Sequence, residues 1–269
     1  MEARILKAIY ESLDKGEIVA LATITDMKGS TPRDKGSIMA VWADGTIKGS
    51  VGGGMIEHSV IQKSIECIKT GIDQEFKFEL TSDSELHMQC GGKATVYVKI
   101  FKPRPKLLIV GGGHLGLELF KVSRTLEFNT VIFDDREEFA NEERFQGADE
   151  IIVGDMQQEI SKYNITSNTY IIIVTRGHES DAETLKEVAN SKAAYIGMIG
   201  SKKKTKYVMD KLMNEGITKE ALKKVYAPVG LNISSEEPRE IAFGILSEML
   251  LLKNNGSLQH LRDVKKVEF

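Results

Sequence analysis

At 269 residues the chain exceeds what one hydrophobic core usually supports and is long enough for about two domains. Its 41% hydrophobic and 28% charged residues are ordinary for a globular protein, and a net charge of −3 excludes any general attraction to nucleic acid or an anionic membrane. Two cysteines, Cys67 and Cys90, are too few for a disulfide framework or an all-cysteine zinc site, so both are expected as free thiols.

The N-terminal stretch mixes acidic residues with spaced apolar ones and lacks the apolar core and cleavage site of a signal peptide. No run reaches the roughly 18 apolar residues of a membrane span, and a cytoplasmic protein is expected. Ile5, Leu6, Ile9, Tyr10 and Leu13 share one helical face, and Gly16 is a plausible stop. Residues 18–25 form a β-branched strand. Residues 37–51 read as a hairpin turning at Asp44-Gly45, where positive φ is needed. A glycine triplet, Gly52, Gly53 and Gly54, leads into a helix with Ile61, Ile65 and Ile68 aligned and Gly71 as its C-cap. Cys67 sits on that apolar helix and reads as core. Residues 76–80 and 93–101 alternate with period two, the second burying Ala94, Val96, Val98 and Ile100.

Pro103 and Pro105 mark a stiff connector, which sets the domain boundary at residues 102/103. Beyond it, strands at 106–110, 130–133, 150–153, 170–174 and 193–200 alternate with helices, including a short helix between 133 and 150. The last helix starts at Pro238. The expected fold class is α/β: a C-terminal Rossmann-like doubly wound parallel sheet, residues 103–269, preceded by a smaller α+β domain, residues 1–102.

Gly111, Gly113 and Gly116 form G-x-G-x-x-G between a buried strand and a helix, and Asp134 ends the next strand. In that context Gly111 allows the turn, Gly113 a close approach of pyrophosphate, and Gly116 the packing of helix on strand. Asp134 would accept hydrogen bonds from a ribose diol, favouring NAD over NADP, with Arg136 weighing the other way. The alternative is a sheet that keeps its glycines for packing alone. His178, after the fourth strand, is either the general acid or base of a hydride-transferring enzyme or a surface histidine beside a helix N-cap. Gly200 and Ser201 open a helix that could take an anion, and Lys202 to Lys204 read as a solvated face.

The first domain repeats the device. Its glycine triplet can aim backbone N–H groups at an anion, and Glu57 either complements the helix dipole or accepts from a heterocycle. Arg33 and Lys35, in a turn with Pro32, are another possible phosphate contact. Cys90 precedes Gly91 and Gly92 at the entrance to a strand, with His87 and Lys93 near enough to lower its pKa.

Taken in order, "GSTPR" (29–33), "GSVGGGMIE" (49–57), "QCGG" (89–92), "IVGGGHLG" (109–116), "DDREEFAN" (134–141), "TRGHESD" (175–181), "YIGMIGSKKK" (195–204), and "APVGLNI" followed by "EEPREIA" resemble the XdhC/CoxI family of xanthine dehydrogenase accessory factors. The resemblance implies a cytoplasmic, homodimeric maturation factor. It would bind molybdenum cofactor while a cysteine desulfurase supplies the terminal sulfur, and then deliver it to a molybdenum hydroxylase. The candidate catalytic residues of the chain are Gln89, Cys90 and Glu57, with Cys90 as a molybdenum contact or sulfur carrier, and His178, which belongs to the oxidoreductase alternative. The implied cofactor contacts are Gly52, Gly53, Gly54, Gly91, Gly92, Gly111, Gly113, His114, Gly116, Asp134, Thr175, Gly177, Gly200 and Ser201. Where many relatives carry cysteine after the glycine triplet, this chain has Met55, whose thioether cannot become a thiolate. Two other readings stand beside this one: an NAD-dependent oxidoreductase acting on a small substrate, and a nucleotide-sensing regulatory module.

Overall fold

The structure, a computed structural model, describes residues 2–28, 33–80, 92–233 and 236–265. Gln89, Cys90 and Gly91, and the 29–32 part of the first quoted motif, lie outside the described residues. The chain divides into two compact units, Met1–Pro103 and Arg104–Phe269.

The first unit holds α1 (Glu2–Asp14), β1 (Val19–Lys28), β2 (Ile38–Trp42), β3 (Ile47–Gly49), α2 (Gly54–Thr70), β4 (Gln74–Leu80) and β5 (Gly92–Phe101). Its five strands form an antiparallel sheet in the order β3-β2-β1-β5-β4. Strand alternation sends Ala20, Ala22 and Ile24 to one face, where they meet α2 through Ile56, Val60 and Cys67. Val19 and Leu21 go to the other, against Ile5 and Ile9 of α1. Ala94, Val96, Val98 and Ile100 are buried as their period-two spacing predicts, and Cys67 is a buried free thiol in the same core. Burial pushes the Cys67 thiol pKa up, which suits a packing residue rather than a reactive one.

The second unit runs β6 (Lys106–Val110), α3 (His114–Ser123), β7 (Asn129–Asp134), β8 (Glu150–Val153), α4 (Met156–Lys162), β9 (Thr169–Ile173), α5 (His178–Val188), β10 (Tyr195–Met198), α6 (Lys202–Asn214), α7 (Lys219–Leu222), β11 (Val225–Tyr226), α8 (Pro238–Lys253) and α9 (Leu261–Val264). The sheet is parallel and six-stranded, ordered β11-β10-β9-β6-β7-β8, the doubly wound arrangement expected from the sequence. Buried side chains of α3 and α8 cover one face, and those of α4, α5 and α6 the other. The order reverses between β6 and β9, which opens a crevice at their carboxyl ends.

Three local expectations fail, the first that the helix starting at Pro238 is the last, since α9 follows it. The segment between β7 and β8 is a series of turns rather than a helix. Asn141 accounts for this: its amide donates to Glu137 O and its Oδ1 accepts from Arg144 N, so the side chain competes with the helical ladder. Conversely, α4 forms where no helix was expected, and Asp155 caps it by accepting from Gln158 N at 2.8 Å. Among the described residues no helix is long and apolar enough to cross a membrane.

Candidate functional site

The crevice of the second unit encloses about 300 Å³. Gly111, Gly113, His114, Asp134 and Thr175 line it, together with Asp135, Arg136, Phe139, Met156 and Arg176. The three glycines between β6 and α3, and Gly116 in the first turn of α3, are there for different reasons. A Cβ on Gly116 would lie 1.9 Å from Gly111 O, one on Gly111 would lie 2.5 Å from Val174 O, and one on Gly112 would lie 2.2 Å from Phe139 O. Gly111 also holds φ +117, a left-handed conformation that favours glycine. These three are demanded by the protein's own packing. Gly113 is not: its φ of −62 suits any residue, and a Cβ there would meet nothing within 4 Å. It is the N-cap of α3 and supplies no side-chain cap, and Gly113, His114 and Leu115 at the start of that helix line the crevice. A pyrophosphate group fits this cradle, with the α3 amides as donors.

Asp134 ends β7 at 1% exposure. Its Oδ1 accepts from Arg136 N (3.1 Å) and Arg136 Nε (2.8 Å), and its Oδ2 from Gly112 N (2.7 Å) and Arg136 Nη2 (3.1 Å). Four bonds fill the capacity of a carboxylate. Burial pushes the pKa of Asp134 up, but the hydrogen bonds from Arg136 and Gly112, with the guanidinium charge, outweigh it and hold the group below the ordinary aspartate value. The Arg136 guanidinium stacks on Phe139, 3.7 Å from the ring centre.

Thr175 is tied inward, its hydroxyl bonded to Asp181. Asp181 is fully buried and paired with Lys204 of α6. Burial raises the Asp181 pKa, and the Lys204 and Thr175 hydrogen bonds offset this only in part. Sequence reasoning placed Lys204 on a solvated face and gave Asp181 no role. The signal was missing because the two lie 23 positions apart and meet only when α5 and α6 pack. Gly177 caps α5, and His178, the first residue of that helix, is exposed, edge-on to Tyr207 at 5.2 Å and not among the crevice's lining residues. Ser201 is engaged as the N-cap of α6, accepting from Lys204 N, and Gly200 precedes it away from the crevice lining.

In the first unit Gly52, Gly53 and Gly54 all hold positive φ, at 131°, 71° and 61°, a run that requires glycine. The loop they form is not an open anion nest, contrary to the reading of its sequence. Glu57 Oε2 accepts from Ser50 Oγ (2.6 Å), Val51 N (3.3 Å) and Gly53 N (3.3 Å), while Gly52 N donates to Ser50 Oγ (3.2 Å). The carboxylate two positions past Met55 already fills the position where a free anion would sit. Glu57 Oε1 takes no hydrogen bond among the described residues, and Met55 is exposed. Arg33 and Lys35 are exposed, and Gly92 opens β5 paired with Leu80. A larger cavity of about 500 Å³ is lined by Trp42, Asp44, Ile68 and neighbours at the hairpin turn, and none of the predicted catalytic or cofactor-binding residues lines it.

Comparisons with known proteins match both units. Residues 107–249 match the XdhC Rossmann domain, and residues 12–79 match the XdhC and CoxI family. Escherichia coli K12 has a relative named uncharacterized protein YqeB, 30% identical over 240 residues, which are 88% of this chain and 44% of that protein. A probable xanthine dehydrogenase subunit of Bacillus subtilis 168 is 24% identical over 168 residues, 62% of this chain and 49% of that one. The chain thus spans about half the length of these two relatives. The molybdenum cofactor insertion chaperone PaoD of E. coli K12 is 22% identical over 284 residues, 91% of this chain and 86% of PaoD. A crystal structure described as a xanthine dehydrogenase from Bacillus halodurans shares the fold, with a TM-score of 0.52 at 21% identity, covering 96% of this chain and 98% of that one. With one match in each unit and the Rossmann match alone covering more than half of its residues, the chain belongs to the XdhC and CoxI family.

Proposed function

We propose that this protein is an accessory factor that binds molybdenum cofactor as cargo, supports its sulfuration and delivers it to a xanthine dehydrogenase-type molybdenum hydroxylase. The observation that carries the reading is family membership in both units, with a relative of similar length named as a molybdenum cofactor insertion chaperone. The first unit supplies the chemistry. Glu57 Oε1, which takes no hydrogen bond among the described residues, is an acceptor suited to the N–H edge of a pterin, and Cys90, flanked in sequence by Gln89 and Gly91, brings the thiol. A cysteine desulfurase as sulfur source and a second copy of the chain complete the set of partners. An oxidoreductase reading would need His178 at the crevice, and it is not among the lining residues.

The test is metal and pterin analysis of protein purified from a host that makes molybdenum cofactor. About one molybdenum and one pterin per chain, lost in Cys90→Ala, support the reading and the thiol together. Wild-type protein free of both, and unable to raise the activity of any apo-hydroxylase supplied with cofactor, would sink it.

A further inference from the structure

We infer that the crevice of the second unit takes an adenine dinucleotide whose ribose carries a 2′-phosphate, an NADP-class ligand, and that Arg136 and Arg176 select it over NAD. The cargo proposed for the first unit plays no part in this selection. In NAD sites of this fold, an acidic residue at the end of the second strand ordinarily holds the ribose diol. Here that residue, Asp134, is buried, and its four accepting positions are taken by Arg136 and Gly112. A diol could bond to it only by displacing the guanidinium, leaving a buried carboxylate without its cation.

The same pair turns Arg136 into a phosphate receptor. Nε and Nη2 are spent on Asp134, and the guanidinium face lies on Phe139, so the group is fixed in place. Its Nη1 makes no hydrogen bond among the described residues, and the side chain keeps 21% exposure at the crevice wall. Arg176, which also lines the crevice, makes no hydrogen bond among the described residues. Its one charged contact among them is Asp135, at 3.8 Å. Two guanidinium groups with unspent donors suit a phosphate dianion, which takes paired N–H bonds from arginine, better than they suit a hydroxyl pair. Asp135 is the competing anion, 3.4 Å from Arg136 Nε and itself 43% exposed. A phosphate arriving between the arginines must outcompete it, and exposed pairs of this kind are weak.

The test is calorimetric titration of the full chain with NADP+ and NAD+, in parallel with Arg136→Ala, Arg176→Ala and Asp135→Asn. Wild type is expected to bind NADP+ at least about tenfold more tightly than NAD+, the gain of one charge-assisted contact. Arg136→Ala and Arg176→Ala should each shrink that ratio, and Asp135→Asn should raise it. Equal or tighter binding of NAD+ by wild type, or binding of neither, overturns the inference. So does a ratio unchanged in a folded Arg136→Ala. Because that substitution strips the cation from Asp134, Arg176→Ala and the wild-type ratio decide the matter should Arg136→Ala fail to fold.

Discussion

Alanine at Gly116 would drive a methyl group to within 1.9 Å of the Gly111 carbonyl oxygen, a backbone atom that cannot step aside. Alanine at Gly113 would meet open crevice. Gly116→Ala is therefore expected to cost about 3 kcal/mol of stability, at the upper end of overpacking penalties. Gly113→Ala should cost less than about 1 kcal/mol, the scale of an N-cap change, while weakening dinucleotide binding. Thermal unfolding and titration of the two variants separate packing from ligand. The motif spacing and the separate roles of Gly111, Gly113 and Gly116 were legible in the sequence, but the demand on Gly112 was not, since it depends on the Phe139 carbonyl lying across the turn. Asp134 teaches the same lesson. Its position was predictable, yet its partner follows from a side chain two residues on curling back over it. With a folded pKa held below the ordinary value, Asp134 contributes stability that is present above a pH of about 4 and lost as the pH falls through the folded value. Urea denaturation between pH 3 and pH 5 should show a shallower loss in Asp134→Asn than in wild type.

At the scale of elements, strands were read well because their evidence is local: β5 buries alternate residues, and β6 to β9 are near-continuous apolar runs. Helices between strands were read less well. An Asn in the middle of a charged stretch broke one expected helix, and an Asp cap started one that was not expected. The pairing of α5 with α6 through Asp181 and Lys204 was beyond the sequence altogether. Lys204→Ala leaves the buried carboxylate without its cation, at an expected cost of about 3 kcal/mol near neutral pH. Burial already raises the Asp181 pKa, and removing Lys204 raises it further. The defect should therefore shrink as the pH falls and the carboxyl takes up its proton, a trend that denaturation at pH 7 and pH 4 would measure.

At the scale of the molecule, the crevice residues belong to the second unit, and the glycine loop with Glu57 belongs to the first. Cys90→Ala is accordingly expected to lose cargo while keeping dinucleotide affinity, and Gly113→Glu to do the reverse. Metal analysis and titration of both variants would check this, and loss of both ligands in either would contradict it. The glycine loop of the first unit bears on how such a protein could let go of what it holds. The amides of Val51 and Gly53 are turned onto Glu57 and that of Gly52 onto Ser50, so the entropy of ordering the glycines is spent at folding rather than at capture. A phosphate-bearing guest finds a rigid rim that already carries a negative charge in place of a ring of free donors. On the proposed function, a rim occupied before capture would hold its cargo weakly, which suits hand-over better than storage.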